Sequence, residues 1–162
     1  MLRPGILIVC RMAIPTHAIG ENMTTLYTIG YGGRHPQHFV TLLTQHSIAL
    51  ICDVRAEPRR AYRGIYTFNP EKSSGPLPRL LAQEGINYQW LPELGNPDRQ
   101  DPEIRAFQQL MGQEAESRLR RLHTLGQAVR TCLLCAEQDA QRCHRRIITA
   151  YLTAYGYIVQ HL

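Results

Sequence analysis

The sequence predicts an α/β fold: a single domain with a mostly parallel central sheet of about five strands and helices on both faces. The length of 162 residues suits one hydrophobic core. Segments with the pattern of strands alternate with segments of helical periodicity, as they do when crossover helices join parallel strands. A continuous apolar run at 49–54, interrupted only by Asp53, is typical of a strand buried on both faces.

The individual elements follow from local patterns. Short apolar and β-branched runs predict strands at 26–30, 49–54, 86–91, 128–136 and 157–162. Apolar residues at helical spacing predict helices at 36–46, 76–84, 102–124 and 140–155. Gly126 is expected to end the third helix, and a long loop at about 55–75 separates the second strand from the second helix.

The composition narrows the class of protein. A hydrophobic content of 44% is ordinary for a globular domain, and the net charge of +5 favours an anionic partner such as a phosphate, a nucleotide or a nucleic acid. A solvated basic surface is the plain alternative. The five cysteines are odd in number and too sparse for a disulfide-stapled secreted domain, so they indicate reduced thiols and a cytoplasmic location. No apolar stretch approaches the roughly 20 residues that span a bilayer, so no membrane contact is expected.

The first 22 residues are expected to be a poorly ordered extension in front of a domain at 23–162. An apolar run at 5–10 begins the chain, but Arg11 interrupts it before it reaches the length of a signal-peptide core. Met23 stands just before the first predicted strand, so an upstream, mis-assigned start is a second interpretation of this segment.

Ligands of open parallel sheets bind outside the carboxyl ends of the strands, and polar residues follow the predicted strands at these points. The candidate ligand-binding residues are Gly30, Tyr31, Gly32, Asp53, Arg55 and Arg145. The candidate catalytic residues are Glu93, Glu137, Cys143 and His144.

The segment 137–146 carries the strongest signal. Asp139 is expected to cap the following helix, which places Cys143, His144 and Arg145 in its first turns. A helix N-terminus favours a bound anion and lowers a cysteine pKa, and Arg145 offers forked donors to a phosphate or carboxylate. Glu137 or Glu93 is the predicted acid/base, helped by His144. The alternative is a capped helix with a packed cysteine and solvated arginines.

Two arrangements of the cysteines are disfavoured on geometry. Cys132 and Cys135 lie three residues apart on one strand and face opposite ways, so they do not share a zinc ion, and neither a metal nor a cofactor is expected. Cys143 and His144 would diverge by about 100° as neighbours on a helix, which argues against a local nucleophile–base pair. Cys143 acting with another base stays open.

The region after the second strand combines a carboxylate with many cations. A buried Asp53 needs a partner, which Arg55 or Arg145 can supply. Between 55 and 79, cations outnumber acids and alternate with aromatic residues, a pattern that suits phosphates and unstacked bases. The alternative is a solvated loop whose aromatic side chains pack onto the core. These side chains are Tyr62, Tyr66 and Phe68.

Two further turns complete the set. Gly30, Gly32 and Gly33 occupy the position of a phosphate-binding turn, but without the spacing of a known motif, so they allow close approach either to a ligand or to a neighbouring loop. Glu93 is expected to pair with the basic loop or to act as an acid/base. With Asp53 and Glu137 it makes three carboxylates, which we expect to neutralise arginines rather than hold Mg²⁺.

Four motifs in this order are specific when taken together: 28–32 (TIGYG), 53–55 (DVR), 91–95 (LPELG) and 135–145 (CAE…CHR). Over about residues 25–162 the chain resembles the family called domain of unknown function 488 (DUF 488). The resemblance implies a compact α/β domain without a known cofactor or an established activity. Family members often carry a serine shortly after the proline that follows the second motif, whereas Pro58 is followed here by two arginines.

The function predicted from these observations is the binding, or the conversion, of an anionic, phosphate-bearing ligand at the carboxyl edge of the sheet. One alternative is a non-catalytic nucleic-acid-binding module that uses the basic 55–79 loop. The other is a thiol-dependent protein that uses Cys143. The reaction and the oligomeric state are not predicted.

Overall fold

The computed structural model describes residues 24–162, which form a five-stranded, all-parallel sheet with helices on both faces, so the predicted fold class is confirmed. The strands, in the order β3-β2-β4-β1-β5 across the sheet, are β1 (Thr25–Gly30), β2 (Leu50–Asp53), β3 (Asn87–Trp90), β4 (Thr131–Cys135) and β5 (Ile158–His161). The helices are α1 (Pro36–Gln45), α2 (Pro76–Ala82), α3 (Arg105–Ala128) and α4 (Arg145–Ala154). The predicted extension at 1–22, with the apolar run at 5–10, lies outside the described residues.

Apolar side chains on alternating strand positions divide the core into two layers. On β4, Cys132 belongs to the layer that α1 and α2 cover, whereas Cys135 belongs to the layer under α3 and α4. The three central strands β1, β2 and β4 are buried almost throughout, as their continuous apolar sequences predict. The edge strands β3 and β5 are partly exposed.

Helix α3 both begins and ends later than predicted, at Arg105–Ala128 rather than at 102–124. Gly126 lies inside the helix, which continues to Ala128, so the predicted stop at Gly126 is wrong and β4 begins correspondingly late, at Thr131. Gly126 is buried and faces Leu26 and Tyr157. This tertiary packing outweighs the low helix propensity of glycine. None of the helices within 24–162 has both the length and the apolar character needed to cross a membrane.

Helix α4 starts later than predicted, at Arg145 rather than at 140. A single 3₁₀ turn, Ala140–Arg142, comes first, and the side chain of Asp139 accepts a hydrogen bond from the Gln141 amide of that turn. Cys143 then adopts an extended conformation, with φ −125° and ψ 154°. The predicted placement of Cys143 in the first turns of the helix is therefore wrong, because Asp139 caps only the short turn.

The order of the strands opens a crevice at the carboxyl edge of the sheet. Strands β2 and β4 are neighbours, but the chain leaves β2 towards α2 on one face and leaves β4 towards α4 on the other. The two connections diverge, which is the arrangement that forms ligand crevices in doubly wound sheets.

Candidate functional site

A cleft of about 240 Å³ occupies this crevice. One wall is residues 55–57, directly after β2, and the opposite wall is formed by 135–137 and 142–144, after β4. Residues of the segment 96–104, which leads into α3, form the rim. The cleft therefore combines the second and fourth sequence motifs, as their positions at strand ends predict.

Asp53 and Arg55 form a buried ion pair at the wall of the cleft that residues 55–57 form. The Arg55 Nε lies 2.8 and 3.1 Å from the two carboxylate oxygens of Asp53, and the Arg55 Nη1 donates to the carbonyl of Tyr66 at 2.9 Å. The Tyr88 hydroxyl donates to Asp53 Oδ2 at 2.6 Å, and burial together with the charge of Asp53 raises the pKa of Tyr88. The backbone carbonyl of Arg55 accepts from the indole of Trp90 at 2.8 Å. Both charged groups are thus committed to protein partners.

Arg145 is also held inside the protein, with 1% of its surface exposed. Its Nη1 donates to the Thr28 hydroxyl at 3.2 Å, and its Nη2 donates to the carbonyl of Glu137. The guanidinium therefore joins β1 to the turn after β4. Neither Arg55 nor Arg145 presents a free fork of donors to an anion, although both were predicted to do so.

The turn after β1, which contains Gly30, Tyr31 and Gly32, packs against the turn after β4. A Cβ built on Gly30 would lie 1.8 Å from the carbonyl oxygen of Glu137, and the Gly32 amide donates to the carbonyl of Ala136 at 2.8 Å. The Tyr31 ring is buried beneath the guanidinium of Arg55, 5.1 Å from ring centroid to Cζ. Of the two interpretations of this glycine turn, the structure favours close approach to a neighbouring loop.

Glu93 lies outside the cleft. Its carboxylate is 4.0 Å from Arg121 of α3, so it faces this helix rather than the basic loop. Asp53 is enclosed by Arg55 and Tyr88. Within 24–162, the carboxylates of Asp53, Glu93 and Glu137 do not come together as a group that could hold a metal ion.

Two cysteines and a histidine meet at the floor of the cleft. The Sγ atoms of Cys143 and Cys135 lie 3.6 and 3.7 Å from the Nδ1 of His144. The His144 Nε2 lies 2.9 Å from the carbonyl of Val54, and because a carbonyl only accepts, Nε2 carries a proton, while Nδ1 faces the two sulfurs. The expected divergence of Cys143 and His144 is wrong, because Cys143 is extended and not helical.

The environment shifts the pKa values of the four described thiols in different directions. A hydrogen bond from Cys135, the contact with His144 and the positive charge of Arg145 lower the pKa of Cys143. The same hydrogen bond, with burial, raises the pKa of Cys135. Burial raises the pKa of Cys52 to about 12 and also raises the pKa of Cys132. Cys143 is therefore the most acidic thiol of the set.

The donor atoms of Cys135, Cys143 and His144 all lie within 4.8 Å of one another, and this is the one such group of potential metal ligands within 24–162. Cys132 faces the opposite layer, so the prediction that it cannot share a metal with Cys135 is confirmed. This cluster is not evident from the sequence, because Cys143 and His144, the partners of Cys135, come from a segment predicted to be helical.

The charged side chains of the cleft differ in whether they have partners. Arg60 and Arg99 both approach one carboxylate, that of Glu57, with Nε–Oε2 and Nη1–Oε2 distances of 3.0 and 3.6 Å. Arg142 and Glu137, both exposed, make no ion pair or side-chain hydrogen bond with any residue in the described part of the chain. Arg142 was not among the predicted site residues, although the sequence places it with Arg145 and Arg146 at the predicted helix start, where cations are disfavoured unless an anion or Glu137 compensates.

The basic loop offers less to nucleic acid than its sequence predicts. Arg59 and Arg60 are paired with Glu71 and Glu57. Two of the aromatic residues, Tyr66 and Phe68, are buried, whereas Tyr62 is 96% exposed. Nucleic-acid contact through this loop stays a prediction.

A family model described as "Domain of unknown function DUF488" matches residues 35–152, which include three of the four motifs. The chain belongs to the DUF488 family. The resemblance predicted from the motifs is thereby confirmed, and the DUF488 match spans both walls of the cleft. No curated protein and no solved structure matches the chain.

Proposed function

We propose that this DUF488 protein binds a small anionic, phosphate-bearing molecule in the cleft, with Arg142 as the anion-binding residue and Glu137 as the group that exchanges a proton with the ligand. The observation that carries the proposal is that these two side chains have no partner within residues 24–162, while Asp53, Arg55 and Arg145 are bonded inside the protein. Arg142 and Glu137 line the cleft together with the buried thiols of Cys135 and Cys143.

An anion in the cleft would also relieve an uneven pairing of charges. Arg60 and Arg99 share the carboxylate of Glu57, and no carboxylate of the described part of the chain pairs with Arg142. Asp101 contributes a carboxylate to the rim, but its two oxygens accept from the backbone amides of Glu103 and Arg105. A phosphate accepts several forked donors at once, which suits arginine better than lysine. The free thiols of the cluster support the expectation of a reducing, cytoplasmic setting.

Replacing Arg142 by alanine is expected to weaken the binding of inorganic pyrophosphate by about 10-fold, because the variant loses one charge-assisted contact. Isothermal titration calorimetry with the full chain measures this change. Arg146→Ala is the matched control, since Arg146 is exposed, carries the same charge and lies outside the cleft. If pyrophosphate does not bind to the wild type, or if both variants lose affinity equally, the proposal is wrong.

A thiol-dependent function is a second candidate, because Cys143 contacts the Nδ1 of His144 and also lines the cleft. We expect iodoacetamide to alkylate Cys143 at least about 10-fold faster than Cys52 or Cys132 in metal-free protein, since the reactive species is the thiolate. Cleavage after glutamate at Glu137 places Cys143 on a peptide of its own, apart from Cys52 and from the peptide that carries Cys132 and Cys135, so mass spectrometry reads Cys143 separately. Equal or slower alkylation of Cys143 would contradict this candidate.

A further inference from the structure

The cluster of Cys135, Cys143 and His144 has the dimensions of a metal site. The two S···N separations are 3.6 and 3.7 Å. In a tetrahedral site with Zn–S bonds of about 2.3 Å and a Zn–N bond of about 2.1 Å, this separation is about 3.6 Å. The two sulfurs lie within 4.8 Å of each other, and the separation in such a site is about 3.8 Å.

The surroundings of the cluster match those of a metal ligand set. Metal-bound histidines usually donate their second N–H to a carboxylate or a backbone carbonyl, which fixes the ring and leaves the other nitrogen free for the metal. The His144 Nε2–H donates to the carbonyl of Val54, and the Phe107 ring packs edge-on against the imidazole at 5.1 Å. The backbone amide of Arg145 points at the Cys143 sulfur, 3.5 Å away.

We propose that Cys135, Cys143 and His144 bind one Zn²⁺ through their two sulfurs and Nδ1, with the fourth coordination position open to the cleft. Thiolate and imidazole are the ligands that Zn²⁺ prefers over Mg²⁺ or Ca²⁺. Two thiolates and a neutral imidazole balance the charge of the ion, which suits a site whose three ligands are 6%, 3% and 6% exposed. Each thiol that is still protonated releases its proton to solvent on binding.

The open position follows from where the ligands lie. All three residues line the cleft, so the side of the cluster away from Val54 and Phe107 faces its interior. Three protein ligands with one free position is the arrangement of catalytic zinc sites, whereas structural sites have four protein ligands. A water molecule or the ligand itself takes the fourth position. This inference does not depend on the anion binding proposed above.

The test is zinc binding by the full chain after removal of metal with a chelator and reduction with a phosphine. In competition with a chromophoric chelator, we expect one Zn²⁺ per chain. Cys135→Ser, Cys143→Ser and His144→Gln are each expected to lower the affinity by about 100-fold or more, since even partners outside the ligand set contribute up to that factor. Cys132→Ser is the matched control, because it changes a buried thiol on the same strand that faces the opposite layer.

A second measurement needs no variant. Saturating Zn²⁺ is expected to protect both Cys135 and Cys143 from iodoacetamide, and Co²⁺ is expected to give thiolate-to-metal charge-transfer absorption with the intense visible bands of tetrahedral cobalt. If the wild type binds no Zn²⁺ saturably, or if both thiols react at the metal-free rate, the inference is overturned. Because Cys135→Ser leaves Arg142 in place, loss of zinc with retained pyrophosphate binding separates this site from the proposed anion site.

Discussion

Asp53→Ala is expected to lower the free energy of unfolding by about 3–5 kcal/mol, because the substitution leaves the Arg55 guanidinium buried without its counter-charge. It also removes the acceptor of the Tyr88 hydroxyl. The measurement is urea denaturation followed by circular dichroism, with the midpoint and the slope compared with those of the wild type.

Two variants calibrate this result. Glu71→Ala removes the carboxylate from another arginine pair, that of Arg59 and Glu71, whose side chains are 50% and 72% exposed, and it is expected to cost less than about 1 kcal/mol. Tyr88→Phe removes one hydrogen bond to Asp53 and is expected to cost about 1.5–3 kcal/mol. Similar losses for Asp53→Ala and Glu71→Ala would mean that burial does not distinguish the two ion pairs.

Gly30→Ala is expected to destabilise the protein by about 3 kcal/mol or more, because the added methyl group would overlap the carbonyl oxygen of Glu137. Backbone cannot rotate away as a flexible side chain does, so the turn after β4 must move as a unit. That turn carries the Arg145 contact, and its displacement should also disturb the thiol cluster. Thermal unfolding measures the loss of stability, and alkylation of Cys143 measures the change in the cluster.

Gly112→Ala is the matched control for this substitution. Gly112 is exposed on helix α3, and a Cβ there meets nothing within 4 Å. The variant is expected to gain about 0.5–1 kcal/mol from helix propensity. If Gly30→Ala were as stable as the wild type or more stable, the turn after β1 would not lie against the carbonyl of Glu137.

The order and type of the regular elements were predictable from the sequence, because each depends on a local pattern. The apolar run of β2 and the helical stripe of α3 are examples, and both are found close to their predicted positions. The ends of the elements were less predictable. Gly126 continues α3 because it packs against Leu26 and Tyr157, and no local rule contains that contact.

The site was predictable in place and less so in its parts. Residues at the ends of β2 and β4 do line one cleft, as parallel topology requires. The conformation of Cys143, however, depends on a 3₁₀ turn that ends three residues after Asp139. If this segment were helical, as predicted, the side chains of Cys143 and His144 would point in different directions. The internal partners of Arg55 and Arg145 are distant in sequence, so their burial could not be deduced from charge alone.

The hydrogen bond from Trp90 to the Arg55 carbonyl has a practical consequence. Trp90 is the sole tryptophan of the chain, and Arg55 directly follows Val54, whose carbonyl holds the imidazole of His144. Two successive peptide units therefore connect an indole fluorophore to the ring that faces both thiols. A chemical change at either sulfur therefore occurs close to Trp90 along this chain of hydrogen bonds. Trp90 is thus an intrinsic optical reporter of the cleft.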